Sequence, residues 1–180
     1  VQSSDAVRGP VVVSNNFLSR NGINPNDPSL AGGIFVKAEG GELINGNFIL
    51  DYQYPGPSAS GGLTVIATPD VPAAPSVITN NVVKNSEGLG CFITGKASKI
   101  VLRGNTFVGS AKEDVKWESG PSTVTGGGHL IMGNTCVRTR GVTYASMTIM
   151  PAQSTDPVVI RDNFFLGVDN TTSANANTAI

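Results

Sequence analysis

The chain has 180 residues, 12 basic and 13 acidic, and its formal charge of −1 lacks the concentrated basic face that nucleic acid or an anionic membrane would select. No apolar run approaches the roughly 20 residues of a membrane-spanning helix, so no membrane insertion is expected. With 22 glycines, 11 prolines and many Asn, Ser and Thr, the composition favours short strands and tight turns, and no amphipathic helix pattern emerges.

The first residue is Val1 and nothing near it reads as a secretion signal, so residues 1–180 are expected to form one domain cut from a longer parent. From Val12 onward a pattern recurs: two aliphatic residues, a spacer, a turn-former, then asparagine. The copies are Val12-Val13-Ser14-Asn15-Asn16, Leu43-Ile44-Asn45-Gly46-Asn47, Val77-Ile78-Thr79-Asn80-Asn81, Val101-Leu102-Arg103-Gly104-Asn105, Leu130-Ile131-Met132-Gly133-Asn134 and Val159-Ile160-Arg161-Asp162-Asn163. The residue before the final Asn is always Asn, Gly or Asp, the types that tolerate a left-handed backbone. Two places beyond it stands an apolar residue: Leu18, Ile49, Val83, Phe107, Cys136 and Phe165. The asparagines step by 31, 34, 24, 29 and 29 residues, the length of a solenoid rung. Hairpin sandwiches instead place turns every 8–12 residues or so.

Each copy reads as a strand, a left-handed corner and a second strand. A third apolar segment follows at Gly33–Val36, Leu63–Ile66, Cys91–Ile93, Val115–Trp117 and Met147–Met150, with Thr178–Ile180 placed to begin another. The glycine runs at Gly32-Gly33, Gly61-Gly62 and Gly126 to Gly128 read as rung corners. Rungs stacked about 4.8 Å apart would let the asparagine amides bond to one another and to the corner backbone. Such a ladder satisfies buried polar groups that would otherwise cost about 1–3 kcal/mol each. If Val13, Ile44, Ile78, Leu102, Ile131 and Ile160 point inward, alternation turns Val12, Leu43, Val77, Val101, Leu130 and Val159 outward, in an apolar stripe on the order of 29 Å tall. A partner or the rest of a parent chain would cover it, unless both positions sit at a bend and share burial. Neither Val1 to Pro10 nor Asn170 to Ile180 carries a capping-helix signal, so open ends are expected.

The aliphatic-x-Gly/Asn/Asp-Asn-x-apolar signature, from Val11 to Leu166, resembles the parallel β-helix repeat of pectate-lyase-like proteins, polysaccharide lyases and hydrolases, and phage tailspikes. That resemblance implies an all-β, right-handed, single-stranded parallel β-helix of about six rungs, found outside the cell or on the virion surface. It also implies a polysaccharide partner and, as in the tailspikes, a homotrimer.

Chemistry would sit in the loops after the second strand of each rung, which stack on one flank. Asp51, Glu87 and Asp114 fall there, and carboxylates one or two rungs apart match the separation of about 5–10 Å that glycoside hydrolysis uses. These three are the acid/base candidates. Tyr52, Tyr54 and Tyr144 offer faces to sugar rings, and Lys84, Arg138 and Arg140 offer charge or a lyase base. The competing reading is that all are ordinary solvated loop residues. His129, the sole histidine, follows Gly126 to Gly128; its likeness to the glycine-flanked histidine of polygalacturonases stops at Gly128-His129, with no paired-aspartate motif, so it reads as structural. Cys91 and Cys136 read as buried thiols, with a disulfide left open. One histidine, two distant cysteines and no acidic cage argue against a metal, and no cofactor is expected. Thr79, Thr106 and Thr135 do not read as one column, which ranks an ice-binding face last.

The leading expectation is the body of a polysaccharide-binding or polysaccharide-cleaving protein. The rival is a structural module, such as a fibre shaft or adhesin segment, whose apolar stripe serves assembly. An enzyme predicts that Asp51, Glu87 and Asp114 converge in one cleft; a scaffold predicts scattered acids and a covered stripe.

Overall fold

Left-handed corners set the path of the chain. Asn15, Gly46, Asn80, Gly104, Gly133 and Asp162 all carry φ between 55° and 65°, so the six turn-formers singled out by the repeat share one conformation. The structure is a computed structural model and describes residues 11–20, 33–38, 41–53, 61–67, 75–95, 99–119, 128–139, 144–150 and 157–167. The segments Thr178–Ile180, Val1 to Pro10 and Asn170 to Ile180 lie outside the described residues.

Before each corner runs a strand of the first sheet: β1 (Val12–Ser14), β4 (Leu43–Asn45), β7 (Ser76–Thr79), β10 (Ile100–Arg103), β13 (Leu130–Met132) and β16 (Val159–Arg161). After it runs a strand of the second: β2 (Phe17–Ser19), β5 (Phe48–Leu50), β8 (Val82–Lys84), β11 (Thr106–Val108), β14 (Thr135–Val137) and β17 (Phe164–Leu166). The third sheet holds β3 (Ile34–Ala38), β6 (Gly61–Ala67), β9 (Leu89–Gly95), β12 (Val115–Ser119) and β15 (Met147–Met150). Every neighbouring pair is parallel, and neighbours in a sheet come from successive rungs. One chain therefore coils through three sheets, a parallel β-helix with no helix among the described residues.

Register places like residues on like. Val13, Ile44, Ile78, Leu102, Ile131 and Ile160 pair in one inward column of the first sheet. Leu18, Ile49, Val83, Phe107, Cys136 and Phe165 do the same in the second. The third sheet adds Ile34, Val36, Leu63, Val65, Cys91, Ile93, Val115, Trp117 and Met147 to a single apolar core. Burial is complete in the middle rungs and partial at Leu18, Ile160 and Phe165 in the first and last. Each fully buried aliphatic side chain contributes about 1.5–3 kcal/mol. The predecessors Val12, Leu43, Val77, Val101, Leu130 and Val159 form the expected outward column, open at Val12, Leu43 and Val159 and partly covered between.

The asparagines form a continuous ladder inside the first corner. From Asn16 through Asn47, Asn81, Asn105 and Asn134 to Asn163, each Nδ2 donates to the next Oδ1 at 2.9–3.0 Å. The same Oδ1 accepts the backbone N–H of the preceding asparagine at 3.0–3.1 Å. The second Nδ2 hydrogen reaches back to a carbonyl of the rung before: Val13 for Asn47, Ile44 for Asn81, Ile78 for Asn105, Leu102 for Asn134 and Ile131 for Asn163. Each interior amide thus spans three rungs, with both donors used and its oxygen doubly bonded.

One expectation needs correction. Gly61 and Gly62 lie within β6 rather than at a corner. A Cβ on Gly62 would stand 2.5 Å from Val83 Cγ1, so close approach of sheets, not turning, requires glycine there. As expected, Thr79, Thr106 and Thr135 do not form one column: Thr79 lies in the first sheet, and Thr106 pairs with Thr135 on the outer side of the second. Phe17, Phe48, Val82 and Phe164 fill the rest of that column, so no threonine face results.

Candidate functional site

A second left-handed corner follows the second sheet and leads to the flank where chemistry was sought. Arg20, Asp51, Asn85 and Gly109 occupy it, with φ of 55°, 50°, 57° and 69°. Backbone bonds continue across it, from Asp51 N–H to Lys84 O at 2.9 Å and from Asn85 N–H to Val108 O at 2.8 Å. Asp51 is half-buried, and its Oδ1 accepts Asn85 Nδ2 at 3.0 Å. This carboxylate serves the turn.

The remaining candidates occupy unlike settings. Tyr52 is 0 % exposed within the apolar core, so it presents no face to a sugar; its carbonyl accepts the Glu87 N–H at 2.8 Å. The Glu87 side chain is exposed, as are Lys84, on the outward side of the second sheet, and Tyr144, just before β15. Tyr54 and Arg140 lie outside the described residues. Asp114 and Arg138, expected on the solvated flank, are interior: their side chains are 0 % and 1 % exposed.

These last two are brought together. Arg138 Nη1 donates to Ala145 O at 2.9 Å and Nη2 to Lys112 O at 3.1 Å, stitching the loops of two successive rungs. Asp114 Oδ2 lies 3.9 Å from Nη1, beyond hydrogen-bond reach. Burial pushes the Asp114 carboxyl up to about 6; the Ser110 hydroxyl, the Arg138 charge and the Ser146 hydroxyl pull it back only in part. Neither hydroxyl attains hydrogen-bond geometry: both Asp114 oxygens and Ser110 Oγ are buried without a bonded partner. Desolvation also lowers Arg138, against the pull of Asp114 and Glu113. From both sides, removal from water outweighs the pairing.

His129 is buried, its Nδ1 accepting the Ile100 N–H at 3.1 Å and its ring packed edge-on against Trp117, centroids 4.1 Å apart. With Ile93, Ile100, Val115 and Ile131 the pair lines a small apolar cavity, a packing role as the sequence suggested. Cys91 and Cys136 are free and buried, and burial pushes the Cys91 thiol up to about 12 and Cys136 higher still. Among the described residues no group of three or more His, Cys, Asp or Glu side chains is placed to hold a metal ion.

The second sheet also presents an apolar outer face that the sequence analysis did not predict. The second sheet turns two columns outward: Phe17, Phe48, Val82, Thr106, Thr135, Phe164, and beside them Ser19, Leu50, Lys84, Val108, Val137, Leu166. Phe17 is 70 % exposed and Phe164 58 %, and the Phe17 and Phe48 rings stack 5.8 Å apart. Lys84 is the sole charge in either column. The signal was present, since the residue after each ladder asparagine must point outward if the next one points in. The third sheet differs: Phe35, Thr64 and Phe92 also point away from the core, yet all three are buried.

Comparison with known families agrees with the coil seen here: the model of the right handed beta helix region matches residues 3–143. The chain belongs to that family. The match fixes the β-helix's right-handed sense and covers its strands β1 to β14, ending before β15. No curated protein and no solved structure matches the chain.

Proposed function

We propose that this β-helix is a structural module that assembles side by side with copies of itself through the outer faces of its first and second sheets. One observation carries the reading: Phe17, Phe48, Phe164 and Leu166 on the second sheet and Val12, Leu43 and Val159 on the first all stand open to solvent. Contiguous apolar patches beyond a few hundred Å² mark interaction sites, and their burial gains about 25 cal/mol per Å². A homotrimer, each copy turning its second sheet toward a common axis, covers both columns on every copy. Sedimentation of the unmodified chain and of the Phe17→Lys/Phe164→Lys double variant tests this. A defined oligomer that the variant reduces to monomer supports assembly; an unmodified chain that stays monomeric at tens of micromolar ends it.

A second reading, a polysaccharide-binding or polysaccharide-cleaving body outside the cell or on a virion surface, is favoured by the exposure of Lys84, Glu87 and Tyr144. Its acid would be Glu87, because Asp51 is engaged in a turn and Asp114 is out of a substrate's reach. Screening acidic and neutral polysaccharides for binding and for release of unsaturated or reducing ends tests it; Lys84→Ala and Tyr144→Ala should weaken binding.

A further inference from the structure

We infer that Asp114 is a proton-operated latch at the junction of the second and third sheets: protonated, it lets the corner pack without a buried anion; ionised, it works against that packing. Among the described residues, Asp114 is the acid whose two carboxylate oxygens are both buried without a bonded partner. The carboxyl group precedes β12 directly, between Ser110 on its own loop and Ser146 at the start of β15. Its own backbone is fixed, because Asp114 O accepts the Cys91 N–H at 2.8 Å and Val115 N–H donates to Ser146 O at 3.0 Å. The main chain at Asp114 therefore cannot shift to carry the carboxyl toward water without breaking bonds of the third sheet. Arg138, the cation within range, has committed Nη1 and Nη2 to two carbonyls.

The neighbouring ionisable groups are few. From its own segment come Glu113, largely buried, and Lys112, half-buried; from β14 and the residue after it come Cys136 and Arg138; from β9 comes Cys91. Both thiols stay neutral across the physiological range, since burial raises them. Glu113 is of like sign to Asp114 and gives an ionised carboxylate no help. Protonation removes the buried anion and supplies an O–H donor beside the Ser110 and Ser146 hydroxyls.

The sign follows from linkage. The folded carboxyl titrates at about 6, above its ordinary 3.8. The folded state thus holds the proton that the unfolded chain releases, and the gain is complete below 3.8 and lost as pH rises through about 6. Between pH 7.5 and pH 5 the folding equilibrium should shift toward the folded state by roughly tenfold from this group.

The test is urea unfolding of the full chain and of Asp114→Asn, a neutral mimic of the protonated acid, at pH 5 and 7.5. The expected result is a tenfold gain on acidification in the unmodified chain that is absent from the variant; the difference between the two cancels His129 and the surface acids. Equal pH dependence in both proteins overturns the inference. Should Asp114→Asn fail to fold, carboxyl ¹³C titration of Asp114 in the unmodified chain decides: a midpoint near 6 supports the latch, one at 4 or below refutes it.

Discussion

In four of the six rungs the chain turns two left-handed corners, and the two solve the same geometric problem with opposite chemistry. The first closes around a column of asparagines in which every interior donor and acceptor is matched. The second turns through Arg20, Asp51, Asn85 and Gly109, residues with little in common, and leads to loops where Asp114 is buried without a bonded partner. A corner whose side chains bond only to their own kind must keep one residue type in every rung. A corner whose side chains face outward is free to vary, and so collects both charge and strain. The difference tells where a β-helix can be altered and where it cannot.

The sharpest way to break the comparison is to remove one amide from each corner. Asn105→Leu strips the acceptor from the Asn81 N–H and Nδ2 and the Nδ2 donor from the Asn134 oxygen, which keeps only the backbone N–H of residue 105, all buried. A loss of about 3–5 kcal/mol in urea unfolding is expected, a large share of a domain's total stability. Asn85→Gly, in the second corner, forfeits one bond to Asp51 and gains a residue at ease with φ near 57°. Its cost should stay below about 1 kcal/mol.

Arg138→Met should fall between. It frees the Ala145 and Lys112 carbonyls and leaves Asp114 without its cation, for about 2–3 kcal/mol at pH 7.5. The loss should shrink at pH 5, where the acid is neutral, and an equal loss at both pH values would separate stitching from charge. The mildest contrast lies within the first corner. Gly46→Ala places a Cβ 2.6 Å from Asn15 Oδ1 at φ 65° and should cost about 1–2 kcal/mol. Gly133→Asn, where the nearest atom is 4.0 Å away and other rungs already carry asparagine, should be near neutral in thermal melts.

The first corner was legible because its chemistry is self-referential. Val13, Ile44 and Ile78 could be set facing inward, and Val12, Leu43 and Val77 outward, from alternation and the recurring Asn alone. The second corner is not legible, since arginine at Arg20 does not announce a left-handed backbone, and Asp51, Asn85 and Gly109, whose types do, stand in no shared motif. The fates of Tyr52, Asp114 and Arg138 were hidden for a related reason. In an irregular loop there is no period to say which side faces in, so polar residues were assigned to solvent by default. Phe17, Phe48 and Phe164 are fixed outward by the same alternation that turns Leu18, Ile49 and Phe165 inward, but Val82, Thr106 and Thr135 at the equivalent positions break the aromatic pattern.

The ladder also has an electrical sense. Each asparagine oxygen points toward the start of the chain and accepts from the rung before it. Six such amides, each with a moment of about 3.5 D, therefore add head to tail rather than cancel. The β-helix carries a buried dipole along its axis, negative at Asn16 and positive at Asn163, where Asp162 places an acid at the last turn. Anything that meets this rod end-on, whether a further rung or another molecule, encounters poles of opposite sign at its two tips.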